Sequence, residues 1–351
     1  MQTYYDIAVI GGGPAGAVTA LCLARSGWRV GIFERTAFDQ FRFGETLPPE
    51  INPLLRKLDV FETFLRQTPL ESPGIVSMWG ASVPVEVDFA RNAWGCGWHI
   101  NRNHFDLALC HDAVAAGANL FLNSRLNWTS DRTEWCAKDI RAGFLIHAGG
   151  RHGPIRQLLT PQEHKDSLLA VVFQIDSKTS RQGDQRTWIE SAPAGWWYSA
   201  PLPEGAAVTM FFTGAEIYRA YGVSIKEQLE WAPHARSLLR GASFPEPKVA
   251  YAPSCRSRTI FGRNWLLVGD SASSYDPLSG RGVFKALQHA RSAARAVDLT
   301  LRGDRDAMQA YAMEVEREFD SYRQQRRQFY LNERRWPNHP FWEVRQAEFA
   351  F

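Results

Sequence analysis

The stretch Asp6-Ile7-Ala8-Val9-Ile10-Gly11-Gly12-Gly13-Pro14-Ala15-Gly16, followed by a helix-like run to Arg25, decides the fold of this chain. An apolar strand flows into a glycine loop and then a helix, the order needed where backbone N–H groups at a helix start cradle a dinucleotide pyrophosphate. Gly11 permits the tight turn, Gly13 lets the backbone approach phosphate, and Gly16 lets the helix pack close to the strand. A second strand, Trp28 to Phe33, leads to Glu34, eighteen residues beyond Gly16, where an acid holds a ribose hydroxyl. Ala15 and Arg35, next to Gly16 and Glu34, are counted among the expected cofactor contacts.

Far along the chain a buried-type strand, Trp265-Leu266-Leu267-Val268, runs into Gly269-Asp270-Ser271-Ala272 and then Asp276-Pro277-Leu278-Ser279-Gly280-Arg281-Gly282. A helix is predicted from about Val283 to Leu301. Asp270 at a strand end suits the polyol of a ribityl chain. Gly280 and Gly282 let a helix N-terminus approach an electron-rich ring and stabilise its anionic reduced form. The two blocks together fit FAD better than NAD, with Gly269, Asp270, Pro277, Gly280, Arg281, Gly282 and Val283 as contacts.

Composition narrows the rest. The 351 residues are 45% hydrophobic and 22% charged, with a net charge of +3, too balanced to imply nucleic acid. The cluster Arg323, Arg326, Arg327, Arg334 and Arg335 reads as a solvated helix face. Five scattered cysteines without a CxxC pair favour a reducing compartment, and no His/Cys spacing suggests a metal. No apolar run approaches the roughly eighteen residues that span a membrane. The first strand starts so near Met1 that a signal peptide finds no room. A cytoplasmic location, without membrane association, is the expectation.

Between the two blocks the pattern alternates. A helix is predicted over Asn103 to Ala116, then strands Asn119 to Leu122 and Gly143 to Ala148, the latter entering Gly149-Gly150-Arg151. Ser167 to Phe212 and residues 75 to 99 read as antiparallel sheet, and an amphipathic helix from about Arg305 to Arg335 closes before Pro337. The predicted fold is therefore α/β. It has a doubly wound FAD-binding domain, Rossmann-like and of the glutathione-reductase type (1–74, 100–165 and 255–302), an inserted antiparallel β-rich substrate domain (75–99 and 166–254) and a C-terminal helical segment (303–351).

The chain resembles the FAD-dependent monooxygenases of the aromatic-hydroxylase fold, which include flavin-dependent halogenases and geranylgeranyl reductases. Gly11, Gly13, Gly16 and Glu34 match the ADP-binding motif of that superfamily. Asp270, Pro277, Gly280 and Gly282 match its flavin motif, and Arg42 and Arg102 lie where it places FAD-contacting arginines. The runs Gly44 to Pro49, Gly97-Trp98-His99, Gly195 to Pro201 and Asp276 to Gly282 resemble a narrower group, the LodB and GoxB type. Those flavoproteins help mature tryptophylquinone enzymes by oxygenating a tryptophan of a partner protein. Two departures matter. Gly149-Gly150-Arg151 stands where aromatic hydroxylases carry an Asp-Gly pair facing the nicotinamide donor. Trp196-Trp197-Tyr198-Ser199-Ala200-Pro201 stands where halogenases carry Trp-x-Trp-x-Ile-Pro. Halogenases also need a lysine after the opening motif, and residues 58 to 137 contain none.

The resemblance implies an FAD-dependent monooxygenase acting on tryptophan in the precursor of a quinone-cofactor oxidase or dehydrogenase, with NAD(P)H or a separate flavin reductase as electron donor. A small-molecule aromatic monooxygenase, a halogenase, a C=C reductase and a non-catalytic flavoprotein that holds a precursor are the alternatives. Glu45 is a candidate base if burial raises its pKa, and His99 a candidate proton carrier. A hydrogen-bonded loop carboxylate and a structural histidine are the competing explanations. Trp79, Trp98, Trp196, Trp197 and Tyr198 are the candidates for an aromatic substrate pocket, core packing being the better reading for any single one of them.

Overall fold

The computed structural model describes residues 3–130, 133–151, 159–164, 166–175, 183–221, 223–239 and 246–347. Its first sheet has the strand order Phe261–Gly262, Trp265–Leu267, Ile140–His147, Thr3–Ile10, Val30–Phe33, Asn119–Phe121, and a hairpin of Thr129–Ser130 and Trp135–Ala137 lies off this path. Thr3–Ile10 sits at the centre, parallel to both Ile140–His147 and Val30–Phe33. Strands buried on both faces read as continuous apolar runs, and all of Val30–Phe33 is buried. On one face Ile7, Val9, Ile32 and Ile146 pack with the helices Pro14–Arg25, Arg102–Ala115 and Gly282–Leu301. On the other, Ala8, Phe33 and Leu145 meet Trp128 and Trp135.

The helix predicted from Asn103 starts at Arg102, because Asn101 Oδ1 accepts from the N–H groups of Asn103 (3.0 Å) and His104 (3.4 Å). Such a cap satisfies donors that the helix leaves unpaired.

A second sheet draws its seven strands from two separate pieces of sequence. The order is Lys248–Tyr251, Leu168–Ile175, Ala207–Gly214, Gly195–Pro201, Thr187–Ala192, Gly74–Met78, Val85–Asp88. All pairs are antiparallel except Thr187–Ala192 with Gly74–Met78. One face buries Phe173, Trp197 and Phe211 under the helices Ile225–Leu229 and Pro233–Leu239. The opposite face buries Trp196, Met210 and Phe212 against Tyr330, Phe341 and Trp342. These last residues come from helices Ala307–Asn332 and Pro340–Ala347, both in the expected C-terminal helical segment, of which only the first was given bounds. Residues 176–182, inside the expected antiparallel stretch, lie outside the described residues, as do 348–351 at the expected C-terminal segment's end.

Gly97–His99 does not join the seven-stranded sheet. It pairs with Thr46–Leu47 on one side and Leu70–Ser72 on the other, a small antiparallel patch that brings Glu45 and His99 to one place. Among the described residues no helix is long and apolar enough to cross a membrane.

Candidate active site

The glycine loop is closed by contacts that tolerate no side chain. Gly11 has φ +102°, and a Cβ on Gly16 would lie 1.9 Å from the Gly11 carbonyl oxygen. Gly269, with φ +63°, would drive a Cβ to 2.7 Å from Ala15 Cβ, so the two glycine motifs meet directly. Above Gly13, by contrast, a Cβ would find nothing within 4 Å. The helix Pro14–Arg25 starts there without a side-chain cap, leaving its first N–H groups for an anion.

Glu34 is 4% exposed and accepts from Gly12 N–H (2.8 Å), Thr36 N–H (3.1 Å), Thr36 Oγ1 (2.8 Å) and Arg42 Nη2 (2.8 Å). Burial works against its charge, but Arg42, Gly12 and Thr36 outweigh burial and hold the carboxyl below the ordinary carboxylate range. Arg42 continues to Asp106 at 3.1 Å, and Asp106, fully buried, also holds Arg102 at 2.9 Å. Arg42 and Arg102 are thus fixed by one carboxylate that sequence reading missed; its signal was the four-residue spacing of Arg102 and Asp106 on a helix. Arg35 is exposed.

At the other motif Asp270 is flanked by Lys285 Nζ at 3.0 Å and Arg151 Nε at 3.2 Å. Burial raises its pKa, yet Lys285, Arg151 and Arg102 together pull it below its ordinary value. Lys285, 2% exposed, also donates to the Ser273 carbonyl and lies 4.3 Å from the Tyr275 ring centroid. It too went unread in the sequence, one turn inside the helix predicted from about Val283. Pro277–Ser279 forms a short turn that Asp276 caps through Leu278 N–H (3.0 Å). Gly280 follows at φ +60°, and neither Gly280 nor Gly282 has anything within 4 Å of where a Cβ would stand. Helix Gly282–Leu301 also lacks a side-chain cap. Arg281 lies over Phe284, 4.9 Å from its ring, and Val283 packs toward Gly44 beside Arg102. Two uncapped helix starts, open space over three glycines and a carboxylate near each strand end make a donor set that fits FAD.

Glu45 and His99 are joined by a chain of hydroxyls. His99 is fully buried, and burial pushes its pKa down to about 4, so the ring is neutral. Its Nε2 lies 2.8 Å from the Gln185 carbonyl oxygen, which can only accept; Nε2 therefore carries the hydrogen and Nδ1 accepts from Thr46 Oγ1 at 3.2 Å. Thr46 Oγ1 in turn receives the Tyr198 hydroxyl at 2.5 Å. Tyr198 is hydrogen-bonded to Glu45. Glu45 is 2% exposed, and burial lifts its pKa above the ordinary value despite the Gly44 N–H at 2.9 Å and the charge of Arg102. The Glu45 carboxyl closes the series at one end and the Gln185 carbonyl oxygen closes it at the other.

The aromatic pocket is corrected in one respect. Trp196 and Trp197 are adjacent on a strand and so face opposite sides: Trp196 stacks on Phe212 (4.1 Å) and donates to Tyr330 OH (3.2 Å), while Trp197 donates to the Gln228 carbonyl (3.3 Å) across the sheet. Trp98 belongs to the core under the first sheet, donating to Asn52 Oδ1 at 2.7 Å and packing edge-on to Phe64. Trp79 donates to the Phe329 carbonyl at 2.7 Å and sits edge-on to Trp196 and Trp342. Every indole N–H here is satisfied inside the protein, as buried tryptophans require. Of the five aromatic residues, Tyr198 is the one that presents a polar group to Glu45. Trp94, half exposed, lines with Leu54, Lys57, Phe284 and Arg291 a shallow cleft of about 290 Å³.

Comparison with known proteins places this geometry. The chain is 28% identical to the putative FAD-dependent oxidoreductase LodB of Marinomonas mediterranea, across 98% of this chain and 97% of that one. It is 27% identical to a tryptophan 2-halogenase of Chondromyces crocatus over 87% of this chain, but spans only 63% of the halogenase. Among solved structures, CmlS, a flavin-dependent halogenase, superposes with TM-score 0.84 at 26% identity, covering 99% of this chain and 68% of CmlS. QhpG, a peptidyl tryptophan dihydroxylase essential for tryptophylquinone cofactor biogenesis, shares the fold with TM-score 0.78 at 24% identity, covering 98% of this chain and 79% of QhpG. The family model described as an FAD binding domain matches residues 4–330, so the chain belongs to that family and is an FAD-dependent oxidoreductase.

Proposed function

We propose that this protein is an FAD-dependent monooxygenase that hydroxylates a tryptophan side chain of a partner protein during tryptophylquinone cofactor formation. The observation that carries the reading is the hydrogen-bonded series Glu45, Tyr198, Thr46, His99, buried at both ends, which handles protons and contains no lysine. Bound FAD supplies the two-electron activation of oxygen, one oxygen atom entering the substrate ring and the other leaving as water. The glycine loops, Glu34 and Asp270 hold the cofactor, and the electrons come from NAD(P)H or a separate flavin reductase. Replacing an aromatic C–H by C–O–H releases the ring proton. Glu45, its pKa raised by burial, accepts that proton, and Tyr198 holds the carboxyl in place. Neutral His99 orients the hydroxyls from the far end.

The fold shared with QhpG, a peptidyl tryptophan dihydroxylase, supports a protein substrate. The likeness to CmlS and the tryptophan 2-halogenase favours halogenation as a second reading; the lack of lysine over 58 to 137 weighs against it. The test supplies reduced FAD, oxygen, halide and either free tryptophan or a quinone-enzyme precursor to the wild type, Glu45→Gln and Tyr198→Phe. Hydroxylated precursor from the wild type, with both variants oxidising reduced FAD but yielding less product, supports the proposal. A halogen isotope pattern establishes the second reading. Hydroxylation of free tryptophan with no effect of precursor points to a small-molecule monooxygenase, and precursor binding without turnover to a holding role.

A further inference from the structure

The flavin-ring loop is tied to the C-terminal helices by a buried ionic cluster. Asp276, the first residue of the loop and fully buried, accepts at Oδ2 from Tyr330 OH (2.8 Å) and Arg326 Nε (3.2 Å). Its own N–H donates to Tyr322 OH at 2.7 Å. Arg326 Nη2 reaches Asp166 Oδ2 at 2.9 Å, and Arg345 Nη1 lies 3.9 Å from the Oδ2 atoms of both Asp166 and Asp276. Asp166 leads into the strand Leu168–Ile175, donors to it being Leu168 N–H (3.0 Å) and Ser254 N–H (3.2 Å). Two carboxylates and two guanidinium groups thus balance one another where each side chain is at most 4% exposed.

Buried ion pairs contribute little net stability against apolar packing, but a partner left alone is costly. What such a cluster does well is fix geometry. Here Asp276 uses Oδ1 to cap Leu278 and Oδ2 to bind the arginines, so the backbone entering Gly280 and Gly282 is set by groups on three elements distant in sequence. The basic cluster read from the sequence as a solvated face is therefore divided: Arg326 points inward.

We propose that Arg326 and Arg345 are positioning residues for the flavin-ring loop, holding Asp276 against Asp166 so that the C-terminal helices set how residues 277–282 meet the cofactor. The proposal rests on membership of the FAD-binding family and is independent of the substrate. The experiment compares wild type, Arg326→Met, Arg326→Lys and Arg345→Met by FAD titration, the visible spectrum of bound flavin and amide hydrogen exchange of the loop in the cofactor-free protein. The Met variants should bind FAD about two- to thirtyfold more weakly, shift the flavin spectrum and speed exchange in 277–282 while leaving exchange in Pro14–Arg25 unchanged. Arg326→Lys should recover part of each effect. Should Arg326→Met fail to fold, Arg345→Met, whose contacts are longer, carries the test. Unchanged FAD affinity and spectrum in folded Met variants would overturn the proposal, as would weaker binding with normal exchange in the loop.

Discussion

His99 and Asp270 show how single groups report on the site. His99 has a folded pKa of about 4 against roughly 6.5 in the unfolded chain. A depressed value contributes stability above pH 6.5 that fades as pH falls toward 4, because only the unfolded state takes the proton. At pH 5 the loss is about 2 kcal/mol. His234, also pushed down to about 4 by burial, adds a similar contribution. Denaturant titrations from pH 7 to 4.5 should therefore show a slope that His99→Gln reduces without abolishing; an unchanged slope would contradict a buried neutral imidazole. Asp270→Ala removes the carboxylate between Lys285 and Arg151, and a lost charged hydrogen bond costs about 1.5 to 3 kcal/mol. FAD affinity should drop roughly ten- to hundredfold, measured by the release of flavin fluorescence on dilution, and full occupancy of the variant would count against Asp270 as a cofactor contact.

At the scale of elements, the strand, loop and helix of residues 6 to 25 were legible because their constraints are local and each glycine has a steric reason. Gly16→Ala should push the helix off the strand, since its Cβ would stand 1.9 Å from backbone oxygen. A loss of about 1 to 3 kcal/mol together with failure to retain FAD is expected in thermal melts, and a stable, flavin-loaded variant would refute the packing argument. The meeting of Glu45 with His99 was not legible. It depends on a sheet whose strands are two and three residues long, too short to carry an alternating pattern. For each tryptophan both pocket and core were open in the sequence, and the structure packs Trp98, Trp196 and Trp197 into cores. The alternation of Trp196 and Trp197 was in the sequence, but which face met the C-terminal helices was not. Trp197→Ala should cost about 3 to 5 kcal/mol without selective loss of turnover in whatever folded fraction remains; selective loss at normal stability would restore Trp197 to the substrate site.

Across the whole molecule, the first sheet holds the cofactor loops, the second sheet supplies Tyr198, and the C-terminal helices brace both. The helix Pro340–Ala347 lies in the expected C-terminal helical segment, but its bounds were not legible, because Phe341 and Trp342 are buried in a core shared with Leu168, Trp196 and Phe212, far away in sequence. The proposed activity is oxygenation of a tryptophan in a partner polypeptide. The direct measurement is co-expression with a quinone-cofactor oxidase precursor under heavy-isotope oxygen gas, followed by peptide mass spectrometry of the precursor's tryptophans. Heavy oxygen should appear on a tryptophan ring with the wild type and be strongly reduced with Tyr198→Phe. A precursor with unmodified tryptophans, recovered alongside a folded and FAD-loaded wild-type protein, would contradict the account.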